Sequence, residues 1–97
     1  MPVSIYSVSD ITVKDPEAYA EYMERAAPLV EKFGGRYLVR GGKVTPGEGG
    51  WTPNRIVILE FPDEESMMAF RNSPEYAPVG DIRHKAADTK SFRVEGV

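Results

Sequence analysis

Two stretches of the chain show the hydrophobic patterns of β-strands, and the two patterns differ. Residues 4–13 alternate in part, with Tyr6 and Val8 on one parity and Ile11 and Val13 on the other, which is typical of a strand. Ile56–Leu59 shows no alternation, so both faces of this strand should be covered. One layer of helices covers only one face of a sheet. A chain of 97 residues has no second sheet for the other face, so the pattern predicts a partner subunit.

The second of these strands belongs to a predicted hairpin within residues 33–61. Its strands are Arg36–Gly42 and Asn54–Phe61, and the segment between them, Lys43–Pro53, is rich in glycine and proline. This segment is too long for a tight turn, and long loops of this kind often cover or line a site.

Apolar residues at intervals of three and four predict a first helix after residue 15. Asp15 can cap its free N–H groups, Pro16 suits the first helical position, and Gly34 ends it. Pro28 lies inside this helix and predicts a bend or a break into two pieces, because it removes a hydrogen bond. The apolar face of the helix comprises Tyr19, Tyr22, Met23, Ala26, Val30 and Phe33.

The remaining pattern completes a ferredoxin-like order of elements. A second helix is predicted from residues 62–65 to near Asn72, a third helical piece over Tyr76–Ala86, and a last strand over Lys90–Val94. Two right-handed crossovers around a hairpin give a βαββαβ fold of the α+β class, a four-stranded antiparallel sheet with helices on one face. We expect a single domain over residues 1–97, with the bare face of its sheet packed on the same face of a second copy.

The composition limits the classes of function. The chain has no cysteine, which excludes disulfides, a thiol nucleophile and a thiolate metal site. Fifteen acidic against 12 basic residues give a net charge of −3 without a block of one sign, so no nucleic-acid partner is expected. No stretch approaches the roughly 20 apolar residues of a membrane span, and the N-terminus lacks a signal-peptide pattern. We therefore expect a cytoplasmic protein with no membrane partner.

Several motifs together resemble one known family. They are D-P-E-A-Y-x-E-Y from Asp15, Pro28, F-G-G-R-Y-L-V-R-G-G from Phe33, the single Trp51, R-I-V-I-L-E-F-P from Arg55, S-P-E-Y from Ser73, and Arg83. The pattern is similar to that of the domain of unknown function 1330 family, within the dimeric α/β-barrel superfamily. The resemblance implies a homodimer whose two sheets face each other to form a barrel. That superfamily includes cofactor-free monooxygenases, small lactone isomerases and haem-dependent proteins, and the fold does not choose among them.

Two arginines on the first hairpin strand are candidates for holding an anion. Arg36 and Arg40 lie four residues apart, so with Leu38 they should point to one face of the sheet. Symmetric pairing about the loop places Arg36 opposite Glu60 and Arg40 opposite Ile56. Such a pair could hold a carboxylate or an enolate, for which arginine is suited. Alternatively, Arg36 forms a structural ion pair with Glu60, and Arg40 lies at the dimer edge.

A second group of candidates combines Trp51, Arg55 and Arg83. Arg55 begins the second hairpin strand beside Trp51, and a guanidinium over an indole can form a cation–π contact that closes a pocket. Packing between subunits explains Trp51 equally well, because tryptophan is enriched at such contacts.

Proton transfer could involve His84, the only histidine, or a tyrosine. Tyr22 and Tyr76 are the preferred pocket tyrosines, because both fall within the family motifs. His84 has no second histidine or carboxylate at a convincing metal-ligand spacing, so no metal is expected. A solvent-exposed position beside Arg83 is the alternative for His84. No haem or other cofactor is expected.

These residues support two hypotheses of function. In the first, the protein is a homodimer that binds a small molecule, and its catalytic form is a cofactor-independent enzyme acting on a small organic acid or aromatic compound. The arginines of the hairpin would hold an oxyanion, His84 or Tyr76 would carry a proton, and Trp51 would form an apolar wall. In the second, the protein is a non-catalytic dimeric binding or interaction module, in which the arginines and Trp51 hold the two sheets together.

Overall fold

The chain forms a four-stranded sheet with three helices on one of its faces. The structure, a computed structural model, describes residues 3–97. Its elements are β1 (Ile5–Val13), α1 (Pro16–Lys32), β2 (Arg36–Arg40), β3 (Ile56–Phe61), α2 (Glu64–Arg71), α3 (Tyr76–Ala86) and β4 (Ala87–Glu95). The strand order is β2-β3-β1-β4, and every neighbouring pair is antiparallel. The predicted ferredoxin-like βαββαβ fold of the α+β class is confirmed.

The parity of β1 shows which face of the sheet the helices cover. The odd-numbered residues from Ile5 to Ile11 are buried, and the residues between them are more exposed. The core lies on this covered face, where Val30, Phe61 and Met67 are almost completely buried. The helices therefore leave the opposite face of the sheet uncovered.

Helix α1 begins and ends where the sequence predicts. The Asp15 carboxylate accepts a hydrogen bond at 3.2 Å from a backbone N–H of the first turn, and Pro16 is the first helical residue. After the last turn Gly34 adopts φ of +86°, a conformation that favours glycine. The break at Pro28 does not occur, because α1 is continuous over 17 residues. Pro28 and Glu24, whose carbonyl loses its donor, are both exposed, so water can satisfy that carbonyl.

A β-bulge in β2 changes the predicted register of the hairpin. Arg36 lies opposite Glu60, as predicted. The register then shifts between Tyr37 and Val39, so Leu38 is an extra residue in β2 with no counterpart on β3.

The bulge separates two arginines that were predicted on one face. Arg40 lies opposite Val57, a buried residue of the covered face, and not opposite Ile56 as predicted. Arg36 remains on the uncovered face. The prediction that both arginines point to one side of the sheet is therefore wrong, because one inserted residue reverses the alternation of side chains.

The last strand is longer than predicted. β4 begins at Ala87, directly after α3, and not at Lys90. Ala87 lies opposite Val13, and the carbonyl of Ala86 accepts a hydrogen bond from the backbone N–H of Lys14 at 2.8 Å. Pairing with β1 extends this strand to residue 87. Residues 87–89 show no apolar alternation, so the sequence does not indicate the extension.

The uncovered face of the sheet carries exposed apolar side chains. It exposes Leu38 at 45%, Phe92 at 60% and Val94 at 48%, and the half-buried side chains of Val8 and Ile58 lie on the same face. Exposed apolar side chains that cluster on one face are typical of an interaction surface. Among residues 3–97, no helix has both the length and the apolar character that crossing a membrane requires.

Candidate functional site

The space between the helices and the sheet contains two adjoining cavities. The inner cavity, of about 30 Å³, is walled by Tyr19, Tyr22, Tyr37 and Tyr76. The outer chamber, of about 470 Å³, lies beside α1 and the hairpin and shares Tyr19 and Met23 with the inner cavity. The inner cavity has room for water, whereas the outer chamber falls within the roughly 300–1,000 Å³ of small-molecule sites.

Two tyrosine hydroxyl groups are hydrogen-bonded at the inner cavity. The oxygens of Tyr22 and Tyr76 lie 3.1 Å apart, and each residue is only 8% exposed. Burial, followed by the neighbouring Tyr76 hydroxyl, raises the pKa of Tyr22 far above its ordinary value. Tyr22 is therefore a neutral hydrogen-bonding group and not a phenolate base.

The position of Tyr76 is fixed by contacts on several sides. It is the first residue of α3, and its backbone N–H donates to the hydroxyl of Ser73 at 3.1 Å. Its ring packs against Phe70, with ring centroids 4.5 Å apart. One turn along α3, a Cβ at Gly80 would lie 3.0 Å from the Tyr76 ring, so the ring occupies space that a larger residue would need.

Four arginines border the two cavities without a carboxylate partner within 4.0 Å in the described part of the chain. Three have their guanidinium carbons over tyrosine rings, at 4.9 Å for Arg40 and Tyr37, 5.2 Å for Arg55 and Tyr19, and 5.9 Å for Arg83 and Tyr22. The fourth, Arg71, donates to the hydroxyl of Ser7 at 3.1 Å. The other three arginines of the chain are all paired with glutamates.

Three polar atoms of residues that line these cavities lack a hydrogen-bond partner. They are the hydroxyl of Tyr19, Nε of Arg55 and Nε of Arg83, and all three are buried without a partner among residues 3–97. Buried polar atoms in proteins are nearly always hydrogen-bonded, so such exceptions require an explanation. A bound molecule would supply the missing acceptors only after these side chains turn towards it, because all three atoms are shielded as they stand.

His84 lies outside both cavities, in a third depression of about 450 Å³ that we call the polar groove. His84 is exposed there, and its Nε2 lies 3.2 Å from Nη2 of Arg83. Arg83 lines both the polar groove and the inner cavity. The two predicted proton carriers, His84 and Tyr76, therefore line different cavities. Within residues 3–97, no three side chains of His, Cys, Asp or Glu come close enough to hold a metal ion.

Two other predicted ligand-binding residues, Arg36 and Trp51, line neither the inner cavity nor the outer chamber. Arg36 donates from Nε to Glu60 at 2.6 Å, which is the structural ion pair given as its alternative role. This hydrogen bond is the main cause of a lowered pKa for Glu60. Trp51 is 65% exposed in the hairpin loop. The expected contact between Arg55 and the indole is wrong, because Arg55 lies over Tyr19 instead.

The sequence interpretation missed several residues that line the inner cavity. Ser7 and Ser9 are buried on the covered parity of β1, where apolar residues are expected, and this departure from the pattern was a usable signal. Tyr19 was predicted only on the apolar face of the first helix, and Tyr37 was not singled out. Arg71, in the last turn of α2, gave no signal.

Solved structures of other proteins share this fold. The protein of unknown function RPA0582 from Rhodopseudomonas palustris is 20% identical, with a TM-score of 0.83 over 100% of this chain and 85% of its own. A conserved protein from Methanosarcina mazei is 20% identical, with a TM-score of 0.63 over 98% and 94%. SnoaB, a cofactor-independent oxygenase from Streptomyces nogalater, is 10% identical, with a TM-score of 0.68 over 98% and 94%. At these identities the likeness shows the fold alone.

Sequence comparison identifies the family. No curated protein matches the chain. The profile of DUF1330, a domain of unknown function, matches residues 4–97. The chain therefore belongs to the DUF1330 family, as the resemblance in its motifs predicts.

Proposed function

We propose that this member of the DUF1330 family is a single-domain cytoplasmic homodimer that binds a small aromatic organic acid between its helices and its sheet. The ligand occupies the outer chamber and extends towards the inner cavity. Its acid group is held by arginine, and its ring lies against tyrosine faces. Cysteine is absent, so the chain does not depend on an oxidising compartment.

The distribution of the arginines is the observation that carries this proposal. The chain has more acidic than basic residues, and yet the four arginines around the cavities have no carboxylate partner in the described part of the chain. Placing a cation in a partly buried position without a counterion is unfavourable. Arg55, Arg71 and Arg83 are partly buried, and Arg40 is exposed. Retaining these cations beside the same cavities is explained if an anion binds there.

The aromatic part of the proposal rests on the walls of the cavities. Four tyrosine rings line the inner cavity, and Tyr19 and Met23 continue this apolar wall into the outer chamber. Aromatic rings and a thioether pack well against a flat conjugated ligand. The hydroxyl pair of Tyr22 and Tyr76 has one O–H left over from its mutual hydrogen bond, and this group can donate to a second oxygen at the far end of such a molecule.

The catalytic form of the proposal is a cofactor-independent enzyme, an activity that the name of SnoaB states for that protein. In this form the arginines stabilise negative charge that develops on a substrate oxygen, and the Tyr76 hydroxyl carries a proton. His84 is separated from the inner cavity by Arg83, so a direct role for His84 requires Arg83 to move. The alternative, a non-catalytic binding module, uses the same cavities without turnover.

The homodimer is supported by the uncovered face of the sheet. Its exposed apolar side chains would be removed from water by a second sheet, which is favourable by about 25 cal/mol per Å². Charged residues on this face have neighbours of opposite sign: Asp10 lies opposite Lys90, Arg36 lies opposite Glu60, and Asp88 forms an ion pair with Lys14 at 3.3 Å. The face is therefore close to neutral, so two copies of an acidic chain can approach through it without strong repulsion.

Titration with a panel of small molecules tests the binding role. We expect benzoate and naphthoate to bind. Benzamide should bind more weakly because it lacks the charge, and cyclohexanecarboxylate because its ring is not aromatic. Binding should shift the backbone NMR resonances of Tyr19, Tyr22 and Tyr76 and leave the indole resonance of Trp51 unchanged. If no aromatic acid binds, or if benzamide binds as tightly as benzoate, the proposal is wrong.

A further inference from the structure

The placement of Arg55 in the outer chamber depends on Gly41. Gly41 follows β2 with φ of +75°, and a Cβ at this position would overlap the guanidinium of Arg55. The backbone N–H of Gly41 donates to the carbonyl of Ile56 at 2.8 Å, and that of Ile11 donates to the carbonyl of Arg55 at 2.8 Å. The backbone on both sides of the guanidinium is therefore fixed by the sheet, and the side chain lies between Gly41 and the ring of Tyr19.

The charges around the outer chamber favour one negative charge. Arg40 and Arg55 line it, and neither has a carboxylate partner within the described residues. Glu24 also lines it and has no cationic partner there. Two cations and one anion leave a net charge of +1, which suits a monoanion better than a phosphate dianion.

Two residues that line the outer chamber have unsatisfied polar atoms. Tyr19 is only 5% exposed, and its hydroxyl has no partner among residues 3–97. Nε of Arg55 is likewise buried and unpartnered, so a bidentate contact through this edge of the guanidinium requires the side chain to turn towards the chamber. The other two unpaired arginines already have polar contacts, Arg71 with Ser7 and Arg83 with His84.

We propose that the outer chamber is a carboxylate subsite, in which Arg55 binds the acid group, Arg40 supplies the second charge, and Gly41 is a positioning residue for Arg55. This inference rests on the proposed function and sets the orientation of the ligand. The ligand class is a monocarboxylate whose apolar body lies on Tyr19 and Met23, with its other end directed towards the inner cavity.

Two glycine substitutions test the subsite. Gly41→Ala forces the guanidinium of Arg55 to move. Gly50→Ala is the matched control, because Gly50 has a similar φ of +70° and a Cβ there would meet no atom within 4 Å. Both variants should carry similar backbone strain. We expect benzoate, measured by calorimetry, to bind at least tenfold more weakly to Gly41→Ala and within twofold of wild type to Gly50→Ala.

The NMR signal of the Arg55 Nε–H group reports the contact directly. In the wild type it should shift and saturate as benzoate is added, and inorganic phosphate should bind more weakly than benzoate. Should Gly41→Ala fold poorly, Arg55→Gln and Arg55→Lys replace it, with a greater loss of affinity for glutamine than for lysine.

The failures of the two proposals are distinguishable. If benzoate binds but the Arg55 signal does not respond, or if the two glycine variants bind equally, the subsite is wrong and the binding role stands. Tighter binding of phosphate would overturn the monoanion assignment. If no aromatic acid binds the wild type, the proposed function itself fails.

Discussion

Replacing the buried hydroxyl groups of Tyr22 and Tyr76 separates a binding role from a structural one. Tyr22→Phe or Tyr76→Phe alone leaves the other hydroxyl without its partner, in a place where both residues are 8% exposed. An unsatisfied buried polar group costs about 1–3 kcal/mol. In a domain of this size, each kcal/mol lowers the melting temperature by roughly 4–8 °C.

The double variant should be more stable than the two single changes imply. It removes both hydroxyl groups, and replacing both hydrogen-bond partners with apolar groups of the same shape can be nearly neutral. We expect its free energy of unfolding to lie within about 1 kcal/mol of the wild type, against a sum of roughly 2–6 kcal/mol for the single variants. Chemical denaturation at one fixed protein concentration measures this, because the stability of a dimer depends on concentration.

The double variant should lose affinity for the ligand even though its stability stays close to that of the wild type. If the hydroxyl pair contacts the far end of the ligand, the double variant should bind p-hydroxybenzoate at least tenfold more weakly, a loss of about 1.4 kcal/mol. Arg25→Gln, which changes an exposed ion pair on α1, is the control and should bind normally. If the double variant loses as much free energy of unfolding as the two single variants together, the hydroxyl pair has a structural role. Undiminished affinity would refute its place in the site.

Three further predictions test the interface, the ion pair and the core. Ile58→Asp on the uncovered face should yield monomers in sedimentation. Ala69→Asp, at an exposed position of α2, is the control and should remain dimeric. A dimeric Ile58→Asp variant would show that this face is not the interface. The pKa of Glu60 is lowered from 4.5, so its ion pair stabilises the fold above that pH and the effect is lost as pH falls through the lowered pKa. The difference in melting temperature between wild type and Glu60→Gln should therefore shrink in acid, and a constant difference would contradict the assignment. Gly35→Ala should lower the free energy of unfolding by about 1–3 kcal/mol, because its Cβ would lie 2.6 Å from the ring of Phe61. Gly47→Ala, where a Cβ meets no atom within 4 Å, should leave the free energy of unfolding unchanged.

The sequence by itself determined the order of the elements and the apolar face of α1. The alternation in β1, the cap at Asp15 and the helical spacing after it are local patterns, and local hydrogen bonding and side-chain periodicity produce the elements that they predict. The unbroken apolar run at Ile56–Leu59 also correctly predicted a strand, and the second copy that should cover its other face stays a prediction.

Only the tertiary structure decided which side chains meet in the cavities. Tyr22 and Tyr76 are 54 residues apart and come together because α1 and α3 pack side by side on the sheet. Arg40 joins them on the covered side through a bulge at Leu38 that no residue pattern announces. Periodicity fixes the face of an element on which a residue lies, but the crossing of helices and the shift of one strand against another depend on packing between distant segments. For that reason the candidate residues could be named from the sequence, while their grouping into a site could not.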